Sequence, residues 1–182
     1  MYRIVQAPQE VLSKKASPVA KIDSEIKHII KEMIETLDNA RDPEGVGLAA
    51  PQIGKSLQLF IVRESPESPI GVYINPTLEL LEPIVHEDKG KKGKGVKLEG
   101  CLSLKDIWGV VKRSPKVRIT YLDEHGKTHT KTVTGFEAII LQHEFDHING
   151  TLFTKRVLEQ GEKLYHSSKD KNGEIVFEEI SI

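Results

Sequence analysis

The chain has a single cysteine, Cys101, so no disulfide can form within it, and that thiol is left as a small buried hydrophobe, a reactive group or a metal ligand. It also lacks an excess of one charge. Lys and Arg number 26 against 27 Asp and Glu, for a net charge of -1. No global basic field exists, which argues against bulk nucleic-acid binding. No apolar run approaches the ~18 residues of a membrane span. The opening Met1–Pro8 carries no apolar core of a secretory leader, so a soluble, cytoplasmic protein is expected, here as a monomer. Without a secretory route the Asn149-Gly150-Thr151 sequon reads as accidental. No internal repeat or low-complexity tract is present. What remains is 182 residues, 38% hydrophobic and 29% charged, which is the size and make-up of one domain able to bury its own core, and a single catalytic domain over 1–182 is expected.

Local pattern supplies the elements. Asp23 is a good N-cap, and Ile26, Ile29, Ile30, Met33, Ile34 and Leu37 follow at helical spacing, predicting a helix over 23–40 that Asp42-Pro43 ends. Strands are predicted at 57–62, at 71–75 and 77–85 on either side of Pro76, and in a hairpin of 116–122 and 127–133 turning at Asp123–Gly126. Residues 86–97 are rich in Gly and Lys and read as a solvated loop. A second helix starts at Thr134, with Glu137 completing a capping box, and stops at Asn149-Gly150, where Gly150 suits a left-handed residue. The tail, 158–182, ends in a strand-like Ile175–Phe177 with Ile180. Helix, strands, helix and short strand suggest an α+β fold of antiparallel sheets around a central helix.

That second helix carries the strongest chemical signal, His143-Glu144-Phe145-Asp146-His147. Histidines at i and i+4 share a helix face and can hold one ion. A divalent metal lowers the pKa of a water it binds to about 7, and a carboxylate placed as Glu144 is can move the proton. A catalytic site of this kind takes three protein ligands and keeps one position open. Cys101, Glu159 and Glu162 are the candidates for the third, with a thiolate suiting a borderline metal. The loop Gly45-Val46-Gly47-Leu48-Ala49-Ala50-Pro51-Gln52 also matches G-x-G-x-x-A, but a helix precedes it and Pro51 interrupts any helix that would follow, so the context argues against a dinucleotide site. Its glycines instead admit a ligand backbone closely, and Gln52 offers an amide N–H to a developing oxyanion. Val46 and Ile139, with Ile140 beside it, are expected to wall an apolar pocket next to the histidines.

Taken in order, Gly45–Gln52, Glu99-Gly100-Cys101-Leu102-Ser103 and His143–His147 resemble the three motifs of the peptide deformylase family, over about Pro8 to Val157. The resemblance implies an antiparallel α+β fold whose central, metal-binding helix carries the two histidines. It implies that Cys101, His143 and His147 hold the metal, Fe2+ in the cell with Zn2+, Ni2+ or Co2+ tolerated. Glu144 would be the general acid and base, Gln52 and the backbone N–H of Leu102 the oxyanion donors, and Val46, Gly47 and Gly100 the backbone positions that hold a peptide as an added strand. The activity implied is removal of the N-formyl group from formyl-methionine of new polypeptides, releasing formate. Those N-formylated nascent chains would be its partners, and a transient ribosome contact is left open. A metallopeptidase with a downstream acidic ligand is the enzyme alternative, and a non-catalytic metal or peptide-binding protein the other. Three departures stand out, one being that the loop 86–97 is longer and more basic than usual in the family. Leu104-Lys105-Asp106 replaces the usual apolar residue, proline and small residue, and the tail differs from the long helix by which some bacterial members dock on the ribosome.

Overall fold

The computed structural model describes residues 1–40, 45–84 and 98–181. Helix α1 spans Ser24–Asp38, and the Asp23 carboxylate caps it by accepting the N–H groups of Glu25 and Ile26. Its apolar stripe, Ile26, Ile29, Ile30, Met33 and Leu37, is buried. The expected stop at Asp42-Pro43 and the expected loop at 86–97 lie outside the described residues.

The first sheet holds β1 (Gly47–Ala49), β2 (Leu59–Val62), β3 (Gly71–Leu80), β6 (Lys116–Leu122) and β7 (Thr128–Thr134), in spatial order β1-β2-β3-β6-β7. Every pairing is antiparallel. Helix α2 (Gly135–Ile148) follows β7 directly. Strand β2 explains how the layers stack. Leu59 and Ile61 join the α1 stripe, while Phe60 and Val62 join Ala138, Ile140, Leu141 and Ile148 of α2. Successive side chains point to opposite faces, so the helices cover opposite sides of the sheet. That is why β2 is uninterruptedly apolar instead of alternating.

A second antiparallel sheet has the order β4-β5-β8-β9, made of β4 (Glu99–Cys101), β5 (Leu104–Gly109), β8 (Leu164–Lys169) and β9 (Ile175–Glu179). Helix α3 (Phe153–Glu159) packs Phe153 and Val157 against Leu164 and Cys101. Sequence pattern located β9 but not β4, β5, β8 or α3. Each strand of the three has a single buried position, so little apolar pattern marks them.

Two expectations are corrected. Pro76 does not separate two strands: β3 runs through it, and the register shifts between Ile74 and Thr77. The missing proline N–H falls at that irregularity and costs no ladder bond. Asn75 beside it takes a positive φ of 49° and uses its side chain to bind both the N–H and the carbonyl of Val19. The capping box at α2 does not form either. Thr134 stands at the N-cap without a side-chain bond, and Glu137 reaches Lys131 and the Tyr73 hydroxyl instead. Lys131 on β7 offers a full charge, which outcompetes one backbone N–H. The stop of α2 is as expected. Gly150 has φ +70°, and a Cβ there would lie 2.7–2.8 Å from the backbone of Ser13 and Lys14.

Candidate metal centre and active site

The 3.6-residue period of α2 sets His143 and His147 on one face, and β4 carries Cys101 to them from the other sheet. The hairpin between β4 and β5 is tight there, with a register shift between Gly100 and Cys101 that pairs Cys101 with Leu104. Cys101 Sγ stands 3.2 Å from His147 Nε2, and the donor atoms of Cys101, His143 and His147 all lie within 4.8 Å of one another. Two more groups aim N–H at the sulfur, Ser103 N at 3.4 Å and Gln52 Nε2 at 3.5 Å. One ion with bonds of ~2.0–2.3 Å needs donors roughly 3–4.5 Å apart, and the cluster needs only small side-chain shifts to meet that. Three buried or half-buried N and S donors fit a borderline divalent ion. Glu159 and Glu162 are engaged elsewhere, with Arg156 at 3.2 Å and Lys112 at 2.6 Å.

Glu144 is 3% exposed, and its Oε2 has no hydrogen-bond partner among the described residues. Burial pushes its carboxyl up to about 7, against the pull of the His143 charge. A carboxyl tuned near neutrality, with one oxygen unpaired beside the donor cluster, can accept and return a proton. Its other oxygen lies over Gly47, where a Cβ would be 2.4 Å from Oε1, so only glycine fits that position of β1.

Gln52 sits in the short helical turn Ala50–Ile53 and is buried. Its Oε1 accepts the Ala49 N–H at 2.8 Å, which fixes the amide and leaves Nε2 facing the sulfur. Leu102 packs its side chain on the α1 core, and its carbonyl accepts from Gln6. Val46 packs on the α2 core, and its carbonyl accepts the Arg63 N–H. Gly100 lies under the Trp108 ring, whose atoms a Cβ would meet at 2.8–3.1 Å. Ile139 is half-buried one turn before His143, and Ile140 belongs to the core instead. Strands β1 and β4 each end the spatial order of their sheet among the described residues, so the centre is flanked by two strand edges.

Three charged residues escaped the sequence reading. His143 Nδ1 lies 3.0 Å from Glu99 Oε2, Arg113 forks onto both Glu99 oxygens at 2.9 Å each, and Arg113 also reaches Asp146 at 2.6 Å. Burial alone would raise the Glu99 carboxyl, but the Arg113 and His143 bonds hold it at about 2. Glu99 and Asp146 stand inside the quoted motifs, two residues before Cys101 and one before His147, so proximity was the available signal. Arg113 had none.

The family model for polypeptide deformylase matches residues 1–163. A peptide deformylase of Dehalococcoides mccartyi is 38% identical over 168 residues, covering 92% of each chain. One of Aquifex aeolicus is 39% identical over 177 residues, covering 91% of this chain and 98% of that one. Among solved structures, the peptide deformylase of Thermotoga maritima superposes with a TM-score of 0.74 at 36% identity, covering 86% of this chain and 97% of that one. That of Synechococcus elongatus in complex with actinonin gives 0.72 at 30% identity, covering 88% and 86%.

Proposed function

Since the chain belongs to the polypeptide deformylase family, we propose that it hydrolyses the N-formyl group of formyl-methionyl polypeptides to formate and a free amine. The observation that carries the reading is the meeting of Cys101 with His143 and His147 beside the unpaired carboxyl oxygen of Glu144. Cys101, His143 and His147 hold one divalent ion, which when bound supplies Lewis acidity to the formyl oxygen and acidifies a water. Fe2+ is the ion in the cell, with Zn2+, Ni2+ or Co2+ able to replace it. An Fe2+–thiolate centre is sensitive to air, because the thiolate is open to oxidation.

Glu144 takes the proton of the attacking water and delivers it to the leaving amine, a task suited to a carboxyl near neutrality. The formyl oxygen gains charge as the carbon becomes tetrahedral. Gln52 Nε2 and the Leu102 N–H donate to it there, and Gln52 is held ready by its bond to Ala49. The peptide lies extended between the edges of β1 and β4, bonding to the backbone of Val46, Gly47 and Gly100. Val46 and Ile139 wall the pocket for the first side chain, and an unbranched thioether suits it. The work is done in the cytoplasm, on chains leaving the ribosome.

The metallopeptidase reading needs Glu159 or Glu162 as a ligand, and both are held by cations away from the histidines. The test is formate release from formyl-Met-Ala-Ser by anaerobically purified protein, with metal measured on the same sample. Formyl-Met should be preferred over formyl-Asp in kcat/KM. Peptide-bond cleavage without formate would refute the proposal.

A further inference from the structure

We propose that Arg113 is a positioning residue of the metal centre, holding the Glu99 carboxylate against His143 so that this histidine presents its other ring nitrogen as a ligand. The inference rests on reading Cys101, His143 and His147 as the ligands. Arg113 stands in the segment between β5 and β6, where no regular ladder supports the chain. The segment is anchored to α2 by Gln142, whose Oε1 accepts the Ser114 N–H at 3.0 Å and whose Nε2 donates to the Ser114 carbonyl at 2.9 Å. Gln142 is buried and adjoins His143 in sequence. The backbone that carries Arg113 and the helix that carries His143 are therefore tied one residue away from each.

From that anchor the guanidinium makes three directed bonds. Nε and one terminal nitrogen donate to the two Glu99 oxygens, and the other donates to Asp146 Oδ2. Arg156 of α3 closes the far side of Asp146 at 2.7 Å. The Glu99 oxygen that receives the terminal Arg113 nitrogen is the same Oε2 that faces His143 Nδ1. A carboxylate only accepts, so Nδ1 carries a hydrogen, and Nε2 is the ring nitrogen left to bind an ion. Side chains of Arg113 and Glu99 are 7% and 11% exposed, so water cannot replace a lost partner. A planar fork holds its donors in fixed directions that match the two Glu99 oxygens and Asp146, which a single ammonium nitrogen on a flexible stem does not. An ion pair placed for stability alone has no reason to end on a metal-binding histidine. This one does, and an outer partner of a ligating histidine sets both its orientation and its basicity.

The experiment titrates metal-free protein with Co2+, following the thiolate charge-transfer and ligand-field bands, and takes a thermal melt of each metal-free variant. Arg113→Met and Arg113→Lys should weaken Co2+ binding ~10–100-fold and shift the ligand-field bands. Glu99→Gln, whose amide oxygen still accepts from Nδ1–H, should bind more tightly than Glu99→Ala. Should Arg113→Met not fold, Arg113→Lys and the Glu99 pair decide on the same scale. Wild-type binding with Arg113 variants within threefold and unshifted bands overturns this inference alone. A wild-type chain that takes up no Co2+, or shows no thiolate band, overturns the ligand reading and this inference with it.

Discussion

Gly47→Ala tests where the proton chemistry sits. A Cβ at Gly47 would lie 2.4 Å from Glu144 Oε1, 2.7 Å from Cδ and 2.9 Å from Cγ. Ordinary contact begins near 3.4 Å, so the carboxyl must retreat by about 1 Å or β1 must move. Strand β1 is laddered to β2, with Gly47 opposite Val62, and Leu48 and Ala49 are fully buried, so the carboxyl is the softer party. Being buried itself, Glu144 cannot swing to solvent and shifts within the site. A misplacement of about 1 Å in a reacting group costs ~10²-fold in rate. That corresponds to about 2.7 kcal/mol of transition-state stabilisation. The three atoms nearest the added methyl all belong to Glu144, so metal content should be unchanged. Overpacking should also lower stability by ~1–3 kcal/mol. The assay is formate release for kcat and KM, with elemental analysis and a thermal melt on the same preparation. A kcat within threefold of wild type at full metal content would refute the argument. A raised KM alone would leave Gly47 as a peptide contact without bearing on Glu144.

Glu144→Gln keeps the shape and loses the proton carrier. Metal should stay stoichiometric while kcat falls ~10²–10⁴-fold, and activity within a few fold removes Glu144 from the mechanism. Cys101→Ala and His147→Ala should each lose stoichiometric metal in elemental analysis of a fresh preparation, and retention by both would show the ligands are misassigned. Gln52→Leu should lower kcat ~10²–10³-fold with little change in KM, as loss of an oxyanion donor does. The same change strands the buried Ala49 N–H, costing ~1–3 kcal/mol of stability, so a normal kcat with raised KM and full metal would mean that Gln52 only binds substrate. Gly150→Ala should destabilise by more than about 1 kcal/mol, through its positive φ and the clash with Ser13 and Lys14, yet leave formate release per folded molecule intact. An unchanged melting temperature would contradict it.

Features decided by neighbours along the chain were legible from the residues. The α1 stripe follows from spacing, the Asp23 cap from one side chain reaching two adjacent N–H groups, and the Gly150 stop from the backbone freedom of a residue without Cβ. The pairing of His143 with His147 needed only the helical period. Each depends on a few consecutive dihedrals, and the amino-acid code acts most directly on those. The capping box at Thr134 failed because Glu137 had a better partner across the β7–α2 corner, which a local pattern cannot register. Strands β4, β5 and β8 were hidden because few of their positions are buried apolar ones, and the β5–β8 pairing joins segments more than 50 residues apart. The choice among Cys101, Glu159 and Glu162 was likewise open to spacing. Folding brings Cys101 to His147 across 46 residues and turns the two glutamates toward cations, and that favours the thiol. Arg113, Glu99 and Asp146 come from three separate segments, and their charges meet only after both sheets have closed on α2. Buried ion pairs of this kind are set by geometry in three dimensions, because the cost of removing charge from water is offset only when donor and acceptor arrive together.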